Sequence, residues 1–368
     1  MNSIKTVSAL GIISSTSYEG IGLAQILTDG IDIKSFGAAY MVPFDEGLAE
    51  KIRQIDGHKA DESPEMANQI RETEIAFTEF CAELVKGFRS DHDEPIDIIG
   101  FAGHTICHKP MEHYTHQIGD GKMMAALTGI KTVSGFRNAD ILNGGQGAPF
   151  SPIYYEALTA KCARPLVVID IGGTSHVSWF GANGEMIAFV SGPGNAVIND
   201  WVMKHGRMHI DYNGRLAILG KVDEQILSSL MHHKYLAKMP PKACDRNMFN
   251  EKMEHLEGLS LEDGAATATA FVTESIVASM AQFLPEQPKE VYVCGGGAKN
   301  PTLMRFLRQR LPDVTVKTTD EKGWNVDAID AQAAAFWAVR RLNYLPLSYP
   351  FTTGVPVACI CGELFEAL

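Results

Sequence analysis

Two stretches of this chain, Val7–Leu27 and Leu166–Phe180, share one short pattern: an apolar strand, a tight turn carrying small hydroxyl residues, and a return strand. In the first, the apolar run Val7–Ile13 reads as a buried strand, Ser14–Glu19 as the turn and Gly20–Leu27 as the return. In the second, Leu166–Ile171, Gly172–Ser175 and Val177–Phe180 take the same places. Each copy opens a half of mixed strands and helices. At 368 residues the chain is also too long for one comfortable core, so two related α/β domains are expected.

The rest of the chain fits that division. Helices are predicted over Asp61–Lys86, Met123–Gly129, Gly194–His205, Leu261–Phe283, Pro301–Leu311 and Asp327–Leu342. Strands are predicted at Ile96–Phe101, Lys131–Ser134, Val291–Cys294 and Val314–Lys317. The Gly- and Pro-rich stretch Asn143–Pro152 reads as a functional loop.

Charge excludes more than it identifies. A net charge of −12 argues against nucleic acid or an anionic membrane as partner, since both need clustered Lys and Arg. No apolar run approaches a spanning length. The seven cysteines are scattered, odd in number and without a C-x-x-C, a pattern of reduced thiols, so a cytoplasmic location is expected.

Four Gly- or hydroxyl-rich turns carry the candidate chemistry. Ser14-Ser15-Thr16-Ser17-Tyr18-Glu19-Gly20 offers hydroxyls and backbone N–H groups to phosphate oxygens, with a carboxylate nearby for Mg²⁺, although Ser and Thr also simply suit turns. In Asp170-Ile171-Gly172-Gly173-Thr174-Ser175, two glycines permit close backbone approach. The acid closing an apolar strand needs a partner, which a metal, a ligand or the turn itself would supply. Cys294-Gly295-Gly296-Gly297-Ala298-Lys299-Asn300-Pro301 runs from a strand into three glycines, with Asn300 as helix N-cap and Pro301 in the first helical turn. It is neither a Walker A loop nor G-x-G-x-x-G. Gly144-Gly145-Gln146-Gly147-Ala148-Pro149, preceded by Arg137 and Asp140, could fix a polyhydroxylated substrate by paired donors and acceptors. A fifth cluster, His104, Cys107, His108, His113 and His116, has zinc-ligand types, but not the two well-separated ligand pairs of a structural zinc site.

Taken in order along nearly the whole chain, these motifs resemble the anhydro-N-acetylmuramic acid kinase family. The matching stretches include Gly11–Gly20, Gly103–Pro110, Phe136–Pro149, Ile171–Gly173, Gly192–Asn195, Pro241–Asn250, Cys294–Met304 and Thr353-Gly354. The resemblance implies an α/β, two-domain actin-like fold (ribonuclease H-like, duplicated) with a central cleft. The domain limits expected are 1–137, completed by 343–368, and 138–342. The implied activity is ATP-dependent: water opens the 1,6-anhydro bridge of a muramic sugar and O6 is phosphorylated. ATP is then expected against Ser15, Thr16, Ser17, Gly20, Gly172, Gly173, Thr174, Gly295, Gly296 and Gly297, with Mg²⁺ held by Glu19. The sugar is expected against Arg137, Gln146, Gly192, Asn195 and Asp330. The oligomeric state stays open, a homodimer included.

The departures from the family pattern bear on mechanism. The family's Phe-Asp-x-Gly-Pro-Gly-Asn stands here as Phe189-Val190-Ser191-Gly192-Pro193-Gly194-Asn195, and that Asp is the family's water-activating base. Val190 cannot take a proton. Asp170 stands where the family has Asn, which makes it the leading replacement base, with Asp140 second. Three readings remain open here: an anhydromuramic kinase with a relocated base, a kinase whose sugar hydroxyl is itself the nucleophile, and a silent binding paralogue.

Overall fold

The computed structural model describes residues 4–14 and 20–367. It divides into two compact units, residues 1–160 with 327–368, and residues 161–326.

The first unit is built on a seven-stranded sheet. Its strands are β1 (Val7–Ser14), β2 (Ile21–Thr28), β3 (Ile33–Val42), β4 (Ile98–Lys109), β5 (Tyr114–Ile118) and β6 (Thr132–Ser134). The second unit supplies β7 (Leu166–Ile171), β8 (Thr174–Phe180), β9 (Met186–Pro193), β10 (Glu290–Cys294) and β11 (Thr315–Thr318). The chain then returns to the first unit with β12 (Glu363–Phe365).

The strand order in the first sheet is β12-β6-β4-β1-β2-β3, with β5 paired to β4; in the second it is β11-β10-β7-β8-β9. In the first unit β1, β2 and β3 form an antiparallel meander, with β4 parallel to β1 and β6 parallel to β4. In the second, β7, β8 and β9 form the same meander, with β10 parallel to β7 and β11 parallel to β10. The repeat in the sequence is thus a repeat of a five-strand sheet, and the fold class is the expected duplicated α/β arrangement.

The unit boundary differs from the expected 137/138. Residues 138–160 and 327–342 fold with the first unit. The cause is the helix Ile329–Leu342, whose alanines allow it to lie directly on β1 and β4. A Cβ on Gly11 would collide with the Ala331 carbonyl, and one on Gly100 with the Ala334 carbonyl. Ala331, Ala334 and Ala335 are fully buried. Such close backbone packing is available only to residues without bulk on the facing surfaces.

The predicted helices Leu261–Phe283 and Pro301–Leu311 form with their caps, the second spanning Pro301–Arg310. Ser260 accepts from the Asp263 N–H at 3.0 Å, and Asn300 from the N–H groups of Thr302 and Leu303, each at 3.1 Å. Among the described residues no helix is long and apolar enough to cross a membrane.

Candidate active site

In the second unit the Gly-Gly turn is held from behind. The Asn195 backbone N–H donates to the Gly172 carbonyl at 2.7 Å, and its side-chain amide to the Ile171 carbonyl at 3.0 Å. The N–H groups of Gly194 and Ala196 both donate to the Gly173 carbonyl. Three consecutive carbonyls, which would repel a phosphate, are therefore consumed by the start of the helix Asn195–Gly206. Gly194 must lack a side chain, because a Cβ there would strike the Gly172 carbonyl and Thr174. Asn195 and Gly192, predicted to touch sugar, thus do visible structural work. Asn195 ties down the turn, and Gly192 lies where a Cβ would press on Ser275 and Leu236.

The three-glycine loop lies beside this turn. Gly295 has φ +73°, and a Cβ on it would lie 2.5 Å from Asp170 Oδ1 and 2.7 Å from the Ile171 carbonyl. Gly297 packs on the Ile171 side chain. The structure therefore brings together Asp170, Gly172, Gly173, Thr174, Gly295, Gly296 and Gly297. Gly20, by contrast, is required by its approach to the Val42 carbonyl. Ser15, Thr16, Ser17 and Glu19 lie outside the described residues.

The first unit gathers a second cluster. Asp140 is fully buried; its Oδ1 accepts from the Gly147 N–H at 2.6 Å and its Oδ2 from the Thr353 hydroxyl at 2.5 Å. The Gln146 N–H donates to the Thr353 carbonyl at 2.7 Å. Asp140 thus pins the Gly144–Gly147 loop to the terminal segment. Both of its oxygens are engaged and the side chain has no exposed surface, an arrangement that positions the loop. Arg137 stands one helical turn away; its packed surroundings lower the guanidinium to about 10, against the opposing pull of the Asp140 carboxylate. His108 on β4 abuts Gly147 and meets Thr115 Oγ1 at 3.1 Å through Nδ1. Burial, helped by Arg137, pushes its imidazole down to about 3, so it is neutral at ordinary pH. The buried Gln146 Oε1 and His108 Nε2 make no hydrogen bond of good geometry. Asp330 sits half-buried in the first turn of the helix Ile329–Leu342.

His104 is buried on β4 with its Nδ1 2.7 Å from Ser14 Oγ, and no group of three or more His, Cys, Asp or Glu among the described residues is placed to hold a metal ion.

Comparison with known proteins settles the family. The model of the anhydro-N-acetylmuramic acid kinase family matches residues 7–367. The chain belongs to the anhydro-N-acetylmuramic acid kinase family. An anhydro-N-acetylmuramic acid kinase of Paramagnetospirillum magneticum is 40% identical over 352 residues, covering 95% of this chain and 96% of that protein. One of Rhodospirillum rubrum is 39% identical over 363 residues, covering 98% and 95%. Among solved structures, a ROK family glucokinase from Streptomyces griseus in complex with glucose and AMPPNP aligns over 90% of this chain and 99% of its own, at 12% identity and a TM-score of 0.40.

Val190 is the departure from the family pattern read in the sequence. The residue is 1% exposed on β9. Its N–H donates to the Lys242 carbonyl at 3.0 Å, and its carbonyl accepts from the Tyr235 hydroxyl at 3.0 Å. Lys242 is itself fully buried, lies near the rings of Phe189, Tyr235 and Phe283, and donates to the carbonyls of Tyr235 and Leu236. Burial lowers its ammonium to about 8. Two residues of these two clusters, His176 and Thr353, were not among the sequence-predicted site residues, and His108 was read only as a zinc-ligand type. For His176 a signal existed. A Gly-Gly turn closing on Ile171 and Ser175 sets Asp170 opposite residue 176.

Proposed function

We propose that this chain is an ATP- and Mg²⁺-dependent kinase of a 1,6-anhydro muramic sugar, opening the anhydro bridge with water and phosphorylating O6. The observation that carries the nucleotide half is the packing of Gly295 and Gly297 on Asp170–Ile171. Two backbone-rich loops there lie side by side, with the Ile171, Gly172 and Gly173 carbonyls withdrawn. Arg137 and Gln146, with the neutral His108, offer the donors and acceptors a hydroxylated sugar requires. Bound Mg²⁺ would neutralise phosphate charge, and Glu19 is the residue assigned to hold it, on the hard-oxygen chemistry of its carboxylate. Asp140 keeps the sugar loop in place through Gly147 and Thr353. The seven cysteines, none of them in a disulfide, support a reducing, cytoplasmic location.

The buried Val190 favours a second reading, in which a sugar hydroxyl is the nucleophile and no water is activated. A panel of sugars, anhydro sugars included, incubated with Mg·ATP and analysed by mass decides between them. Product gaining phosphate plus water supports the first reading. Phosphate alone supports the second, and no product with any sugar refutes both.

A further inference from the structure

Resting on the first reading above, we infer that His176 is the proton acceptor for the attacking water, oriented by Asp170, in place of the carboxylate absent at Val190. Four strands set these residues in one row. Cys294 on β10 opposes Asp170 on β7, Asp170 opposes His176 on β8, and His176 opposes Val190 on β9. Directly opposed residues project from the same face of a sheet. A group at position 176 therefore reaches the surroundings that a side chain at 190 would reach. The ladder shifts register between Ser175 and His176, and such irregularities re-aim the side chains beside them.

The imidazole is placed between an acid and a hydroxyl. Its Nδ1 lies 3.9 Å from Asp170 Oδ2 and its Nε2 3.1 Å from Thr174 Oγ1. The first distance is an electrostatic contact rather than a hydrogen bond, and pairs of this kind commonly tighten only with substrate in place. A carboxylate beside Nδ1 favours the tautomer with the proton on that nitrogen, which leaves the Nε2 lone pair to accept. Thr174 is among the residues assigned to the nucleotide, so a bound phosphate that takes the Thr174 hydroxyl uncovers Nε2. Exposure is graded in the same sense. The side chain of His176 is 25% exposed and that of Asp170 12%, so the imidazole is the more accessible of the two.

The step balances with the reactants named. Water gives a proton to Nε2 as its oxygen bonds to the anomeric carbon. The bond from that carbon to O6 breaks, and the O6 electron pair takes the γ-phosphoryl group as the P–O bond to ADP breaks. The imidazolium beside Asp170 then returns its proton to solvent.

The test uses the full chain with Mg·ATP and the anhydro sugar. His176→Gln is expected to lower kcat by at least ~10²-fold, with the sugar KM and the ATP-dependent thermal shift unchanged. Added imidazole is expected to restore part of the rate in His176→Gly and to leave wild type unaffected, a result that a packing role would not produce. Asp170→Asn is expected to lower kcat less, and in combination with His176→Gln to add little. Full activity of His176→Gln overturns the inference alone. So does a His176→Gly variant that binds ATP but ignores imidazole. A wild type that yields no hydrated, phosphorylated product overturns the functional reading beneath it.

Discussion

Replacing Asp140 by asparagine keeps the shape of a fully buried side chain and removes its charge. In the wild type the carboxylate accepts two hydrogen bonds, from the Gly147 N–H at 2.6 Å and from Thr353 at 2.5 Å. A hydrogen bond to a charged group contributes about 1.5–3 kcal/mol. Asparagine can keep its oxygen toward Gly147 and turn its amide toward Thr353, whose hydroxyl can accept instead, so both bonds survive only as weaker neutral ones. Arg137 at the same time loses the carboxylate that offsets its desolvation. The expected loss is about 3 kcal/mol. For a folding unit of about two hundred residues that is a fall of roughly 6–12 °C in the midpoint of the first unit's thermal transition.

Scanning calorimetry of the variant, with Thr353→Val and the double variant beside it, measures this directly. The three form a cycle in which Asp140 and Thr353 are expected to couple by about 1 kcal/mol or more. The competing idea is that Asp140 binds sugar hydroxyls, and it makes the opposite forecast. A midpoint within ~1 °C of wild type together with a ~100-fold rise in sugar KM would refute the positioning role.

Gly296→Val is expected to abolish stabilisation by Mg·ATP in a thermal-shift assay while the ligand-free transition persists; undiminished stabilisation would remove the nucleotide from this loop. His108 is held neutral down to about pH 3 in the folded chain, whereas the unfolded chain takes up the proton near 6.5. Its contribution is complete above pH 6.5 and is lost as pH falls from there toward 3, at up to ~1.4 kcal/mol per unit. His108→Gln is expected to flatten that acid limb in denaturant titrations, and an unchanged slope would mean that other groups carry it. Val190→Asp sets a carboxylate at a position 1% exposed, and its expected cost is about 2–4 kcal/mol, read as a lower unfolding midpoint. An unchanged midpoint would show that the position readily admits solvent.

What the sequence disclosed follows the range of the forces involved. Hairpins and capped helices are local, so the hairpin from β7 to β8, the Ser260 cap and the Asn300–Pro301 start could be read directly. The strand β3 could not. Its residues Ile33–Val42 are largely exposed at the sheet edge, and its Gly-Ala-Ala centre lacks the alternation that marks a half-buried strand. The strand β9 was hidden because it ends in Gly192-Pro193, a pair that signals a turn. The unit boundary depended on alanines near the end of the chain meeting glycines in its first hundred residues, a contact with no local trace. Thr353 was missed as the partner of Asp140 for the same reason, since the two lie 213 positions apart.

The site shows the same division in its chemistry. That Val190 cannot serve as a base is plain from one residue name, and it left Asp170 as the nearest acid to nominate. The three-dimensional arrangement changes the nomination because strand register, unlike residue identity, is a relation among three segments. Only with β7, β8 and β9 paired does His176 fall between the acid and the vacant position. Asp170, at the end of an apolar strand, then has an imidazole as a neighbour, with His176 Nδ1 3.9 Å from its Oδ2. An acid already engaged in this way serves better to orient a base than to be one. The rate ratio between His176→Gln and Asp170→Asn therefore ranks the two roles. If Asp170→Asn proves the more damaging to kcat, the carboxylate takes the proton itself, and His176 merely packs beside it.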